Sequence, residues 1–128
     1  MKLVIDIACP GKARARAGKN GHYTPAKTKA FEKRIADEWL LLNVPPITGK
    51  FQLLVEAEYA PPYSWSKKDR AAAMGEYKPT KPDIDNVVKL VADALNGVAY
   101  ADDSRCVDLG ASKKYGPEDK LTITVKAL

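Results

Sequence analysis

Residues 81–104 read KPDIDNVVKLVADALNGVAYADDS. Ile84, Val87, Val88, Val91, Ala92 and Leu95 recur at i, i+3, i+4 and i+7, which predicts one amphipathic helix beginning near Asp85 and ending at Gly97. Its apolar stripe needs a surface to cover. Upstream, FQLLVEAEY places Phe51, Leu53, Val55, Ala57 and Tyr59 on one face of a half-buried strand. Downstream, residues 105–115 alternate through Val107, Leu109 and Ala111, and residues 120–127 through Leu121, Ile123 and Val125. The Gly116-Pro117-Glu118 turn between those two strands predicts an antiparallel hairpin.

Toward the N-terminus, Leu3, Ile5, Ile7 and Cys9 alternate in a strand that Pro10 and Gly11 end. Residues 10–29 carry Lys12, Arg14, Arg16, Lys19, Lys27 and Lys29 and no acidic residue, and Gly18, Asn20 and Gly21 make the segment a loop or tight hairpin. Thr24-Pro25 starts a helix, with Thr as the cap and Pro at the first helical position. Phe31, Ile35, Trp39 and Leu42 give that helix a packing face, and Pro45-Pro46 stops it. In the long connection from Pro61 to Pro82, SWSKKDRAAAMG reads as a short helix capped by Ser66 and closed by Gly75. The order is βαβαββ, an α+β fold in a single small domain, with one mixed sheet and helices packed on it.

The 128 residues hold 21 Lys+Arg against 16 Asp+Glu, a net charge of +5. A basic surface suits a polyanionic partner. The aspartate within MKLVIDIACP argues for a strand over a signal peptide, and no apolar run approaches the ~20 residues of a membrane span. A cytoplasmic protein is expected, without membrane association or a nucleotide cofactor. Cys9 and Cys106 read as reduced core thiols, and a single histidine, His22, leaves little basis for a zinc site.

Against the positive balance, acidic residues gather at both ends of the 85–97 helix: Asp83 and Asp85 before it, Asp102 and Asp103 after it. Carboxylate oxygens hold hard cations such as magnesium, and a basic field holds phosphates. Taken alone, Asp-x-Asp before a helix is also ordinary capping, Asp85–Lys89 an ordinary i,i+4 surface pair, and Ala-Asp-Asp-Ser acceptable turn chemistry. Whether the turn GVAYADDS returns the second acidic pair to the first depends on the sheet.

The block KPDIDNVVKLVADALNG…YADDSRCVDLGASKKY resembles the signature of the RusA family of Holliday junction resolvases. The Pro-Gly-Lys after the first strand, Tyr23-Thr24-Pro25 and Ser-Trp-Ser-Lys-Lys are similar too, so the likeness spans a single RusA-like endonuclease domain over residues 1–128. It implies a homodimeric, magnesium-dependent endonuclease, with manganese as a possible substitute ion, that nicks four-way DNA junctions symmetrically. Its essential acids fall on Asp83, Asp85 and Asp103, its catalytic lysine on Lys89, and Asp102 matches a further acidic position at the metal. A two-fold homodimer would match the symmetry of such a junction.

Lys12, Arg14, Arg16 and Lys19 of the acid-free segment, Lys67, Lys68 and Arg70 of the short helix, and Lys81 are the expected DNA contacts. Tyr23, Trp65 and Tyr77 are either packed or available to stack on unpaired bases. Lys113 and Lys114 read as flanking a strand end. Two rivals remain: a carboxylate-pair hydrolase such as a glycosidase, and a non-catalytic, structure-specific DNA-binding module with a structural cation site.

Overall fold

In the computed structural model of the chain, β4 (Phe51–Tyr59) is one of the two inner strands of the main sheet. The structure describes residues 1–13, 16–18, 21–23 and 25–128, with side chains outside residues 14–24. Phe51, Leu53, Val55, Ala57 and Tyr59 are all buried on one face of β4, as their alternation dictates. The sheet order is β1-β6-β4-β5, with β1 (Lys2–Ile5), β5 (Cys106–Tyr115) and β6 (Lys120–Ala127). β6 runs antiparallel to both β1 and β4, whereas β5 runs parallel to β4, so the sheet is mixed. A separate antiparallel pair, β2 (Arg16–Gly18) and β3 (Gly21–Tyr23), forms in the acid-free segment.

Two helices cover the sheet's apolar face. α1 (Ala26–Leu40) buries Thr28, Ile35 and Trp39, and α3 (Ile84–Leu95) buries Val87, Leu90, Val91, Ala94 and Leu95. The α3 stripe is rotated from the expected one: Leu90 and Ala94 face the core while Ile84 is exposed. α1 stops at Leu40, ahead of Pro45-Pro46, and Asn43 takes the left-handed conformation at φ 54° that asparagine tolerates. Thr24, expected as the cap, lies outside the described residues, but Pro25, expected at the first helical position, is itself the cap residue and the helix begins at Ala26. α2 (Lys67–Ala73) is capped by Ser66, whose Oγ accepts the Asp69 N–H at 3.1 Å, and Gly75 follows at φ 79°.

The expected β5–β6 hairpin is corrected by the structure, because β4 lies between the two strands. The local turn forms, but Gly116 N–H donates to the Tyr59 carbonyl at 3.0 Å and Asp119 accepts the Ala60 N–H at 2.9 Å. The turn thus wraps the end of β4 and delivers the chain to its other side. Val107 and Leu109, expected to alternate into a core, are 58% and 53% exposed. β5 is the outer strand, and a register shift opposite Phe51/Gln52 takes Val107 out of the alternation. Both cysteines are free thiols, with Cys9 buried and pushed up to about 12 by that burial.

Candidate active site

The N-terminal end of α3 carries the first acidic pair. Asp83 occupies the cap position, yet its side chain makes no capping hydrogen bond; the carboxylate instead meets Lys81 Nζ at 3.0 Å. Capping therefore does not account for this aspartate. Asp85 lies in the first turn and is exposed. Lys89, one turn further, is exposed and makes none of the ion pairs found among the described residues, Asp85 included.

The loop that presents Asp83 is gripped from β5. Lys113 Nζ donates to the carbonyls of Thr80 at 2.7 Å and Pro82 at 2.6 Å. Lys78 Nζ donates to the Lys81 carbonyl and the Thr80 hydroxyl, both at 2.6 Å. Burial and the neighbouring Lys113 charge lower the Lys78 pKa. Hydrogen bonds from an ammonium group are stronger than neutral ones, so three successive carbonyls ahead of Asp83 have strong partners. Sequence reading placed Lys113 at a strand end and missed this role. The available signal was its position: it follows Leu109 and Ala111 at period two, on the helix-facing side of β5. Lys113→Met keeps the stem but removes the donor. It should cost about 1–3 kcal/mol in urea unfolding and slow any DNA cleavage more than it weakens DNA binding. Unchanged stability and unchanged cleavage together would show that the grip does not hold the loop.

The other flank of the helix start is fixed by the segment after β1. A Cβ on Gly11 would stand 2.9 Å from Asn86 Cβ and 3.3 Å from Pro82 Cβ, so only glycine permits this approach. Lys12 N–H donates to the Asn86 carbonyl at 2.8 Å. Its ammonium bridges Glu32 of α1 at 2.7 Å and Asp93 of α3 at 3.0 Å. Lys12, expected to meet DNA phosphates, thus spends its charge tying the two helices together. Arg14, Arg16 and Lys19, expected beside it, and Tyr23 have side chains outside those described.

The second acidic pair stands at the opposite end of α3. Tyr100 stacks on Phe51 at 4.2 Å and donates its hydroxyl to the Ala92 carbonyl at 2.7 Å, pinning the turn that leaves the helix. Asp102 caps the 3-10 turn Asp103–Arg105 by accepting the Ser104 N–H at 3.1 Å. Asp103 N–H is held by the Asn96 side chain at 3.0 Å, and its carboxylate is exposed. The Ser104 N–H holds the Asp102 carboxyl below its usual range; desolvation, with Asp102 and Asp93 alongside, raises that of Asp103.

The turn therefore folds back on the end of α3 and does not return to Asp83. At a rise of 1.5 Å per residue, the 12 residues of α3 separate the two acidic ends by ~18 Å. Carboxylates sharing one magnesium ion each lie within about 2 Å of it. Among the described residues of one chain, no three potential ligands come close enough to hold a metal.

Comparison with known proteins bears on what such an arrangement serves. The family model described as Endodeoxyribonuclease RusA matches residues 7–126. The chain belongs to the RusA family. The family is one of Holliday junction resolvases, so the enzyme class is an endodeoxyribonuclease and the ligand is junction DNA. A similar chain is the "Uncharacterized protein YqaN" of Bacillus subtilis (strain 168), 39% identical over 118 residues that cover 87% of this chain and 82% of that protein. Both acidic pairs, Lys89 and Lys113 fall within the span matched to RusA. Among the described residues, no helix is long and apolar enough to cross a membrane.

Proposed function

We propose that this RusA-family chain acts as a homodimer that cuts four-way DNA junctions by paired, symmetric phosphodiester nicks, with magnesium held between carboxylates of two subunits. The observation that carries this reading is the split of its acids between opposite ends of one ~18 Å helix. The donors suit a hard cation: Asp83 is released from capping, and Asp85 and Asp103 are exposed. One chain alone supplies too few at either end. In a two-fold dimer with its α3 helices antiparallel, Asp83 and Asp85 of each subunit would adjoin Asp103, with Asp102, of the other.

The surface supports such a pairing. Among the described residues, the first half of β5 has no strand partner on its outer side, and Val107, Leu109 and Ile84 are 58%, 53% and 40% exposed. An open edge flanked by apolar side chains favours association with a second copy.

Magnesium, when bound, would supply an activated water and neutralise charge gathering on the phosphate. The chain's own residues do the rest. Lys67 and Lys68 are exposed and available to backbone phosphates, with Arg70 beside them on α2, and Lys81, paired with Asp83, would be released to a phosphate once Asp83 takes the cation. Lys89, free of the ion pairs found here, presents an ammonium one turn from Asp85 that can stabilise added negative charge or assist the leaving 3′ oxygen. Lys78 and Lys113 keep Asp83 from shifting as DNA enters.

A synthetic four-way junction labelled on each strand tests the reading. Paired nicks at symmetry-related positions should form with magnesium or manganese and vanish with EDTA. A junction that is bound but left whole in magnesium would identify a non-catalytic binding module, and cleavage that persists in EDTA would remove the metal.

A further inference from the structure

The connection between β4 and α3 displays aromatic rings where solvent would ordinarily be met by polar groups. Tyr63 is 90% exposed and Tyr77 is 71% exposed. Each has a cation over its ring: the Arg70 guanidinium lies 4.8 Å from the Tyr63 centroid, and Lys114 Nζ lies 5.1 Å from that of Tyr77. A cation held against one face orients the ring and leaves the other face free.

The backbone beneath these rings is fixed. Gly75 N–H donates to the Tyr115 carbonyl at 3.0 Å, and Tyr115 N–H to the Glu76 carbonyl at 2.9 Å, so Tyr77 is added to the edge of β5 opposite Lys114. On the Tyr63 side, Trp65 N–H donates to the Pro62 carbonyl at 3.1 Å, and the Trp65 ring leans on Tyr115 at 5.5 Å. Rings already held in place lose little entropy on binding.

An exposed ring beside a cation matches the two parts of a nucleotide, a flat base and an anionic phosphate. Local charge favours nucleic acid over a protein partner. From Tyr63 to Lys81 there are five cations against Asp69 and Glu76. A base inside a duplex is stacked on both sides and offers no free face, so the partner of such a ring is an unpaired base. Tyr77 precedes Asp83 by six residues in the same connection, which ties that ring to the acidic site through a short length of chain.

We infer that Tyr63 and Tyr77, backed by Arg70 and Lys114, form a stacking platform for unpaired bases next to the strand being cut. This deepens the junction-cutting reading and rests on it for the identity of the DNA.

The test compares the Tyr63→Ala/Tyr77→Ala protein with the Tyr63→Phe/Tyr77→Phe protein and the parent. The probes are oligothymidine, a perfect duplex, and a four-way junction with 2-aminopurine at the branch point. The alanine protein should bind oligothymidine about tenfold or more weakly and should no longer alter 2-aminopurine fluorescence. Its duplex affinity and the salt dependence of binding should stay unchanged, since a tyrosine displaces no counterions. The phenylalanine protein, which keeps both rings, should behave as the parent. Parent-like binding of oligothymidine by the alanine protein would overturn the platform and leave the surface to a protein partner. So would an equal loss on duplex and single strand. If the parent binds oligothymidine through its tyrosines yet cuts no junction, the platform stands and the junction-cutting reading falls. If the parent cuts junctions and the alanine protein binds every probe normally, the reverse holds.

Discussion

The Asp85→Asn protein is expected to bind a four-way junction at least as tightly as the parent and to cut it at least ~100-fold more slowly. Asparagine preserves the size of the side chain and the first turn of α3, so the fold should be untouched. The change removes a negative charge from a surface that must accept phosphate, and repulsion between charges ~4 Å apart costs about 1 kcal/mol even in water. Gel-shift titration and single-turnover cleavage separate these effects. Asp83→Asn should behave alike, because its carboxylate takes no part in capping the helix. Full cleavage by the Asp85→Asn protein at ordinary magnesium would refute the assignment of that end of α3 to the reacting centre.

The second large effect is a recovery. Asp85→Asn and Asp103→Asn proteins should each be inactive alone, yet a mixture in which subunits exchange should regain nicking. If each site draws Asp83 and Asp85 from one subunit and Asp103 from the other, a mixed dimer concentrates both lesions in one site and leaves its second site whole. Random exchange makes half the dimers mixed, so about a quarter of wild-type nicking should return, without paired cuts. If each site were built within a single chain, every site in the mixture would carry a lesion. A mixture as inactive as its parts, with subunit exchange shown by mass spectrometry, would therefore rule out sites shared between subunits.

The elements whose residues answer to their immediate neighbours were legible from the chain. Phe51 to Tyr59 alternates cleanly because β4 is covered on one face along its whole length, and the α2 cap at Ser66 is a contact over three residues. What failed depended on parts distant in sequence. Gly116-Pro117-Glu118 announces that the chain reverses, but nothing in those residues says that β4 stands between the strands they join. Val107 and Leu109 alternate as core residues do, yet the outer strand carries them where none of the described residues covers them. At the site, the acidic residues were visible by type and spacing, and Asp83 resisted the bland explanation once its side chain proved idle as a cap. The grip of Lys113 was hidden because its partners are backbone carbonyls 31 and 33 residues away, and carbonyls leave no mark in a sequence.

β5 begins just after the turn that carries Asp103 and, two residues before its last residue Tyr115, presents the lysine that grips the loop before Asp83. From Cys106 to Lys113 a strand spans ~23 Å, close to the ~18 Å of α3 alongside it. A strand hydrogen-bonded to its neighbour stretches very little, so each subunit carries a gauge block between its two acidic ends. In the dimer proposed above, the protein and not the suppleness of the DNA would then set the distance between the two cuts. Junctions of quite different sequence should be cut with the same offset between the paired nicks.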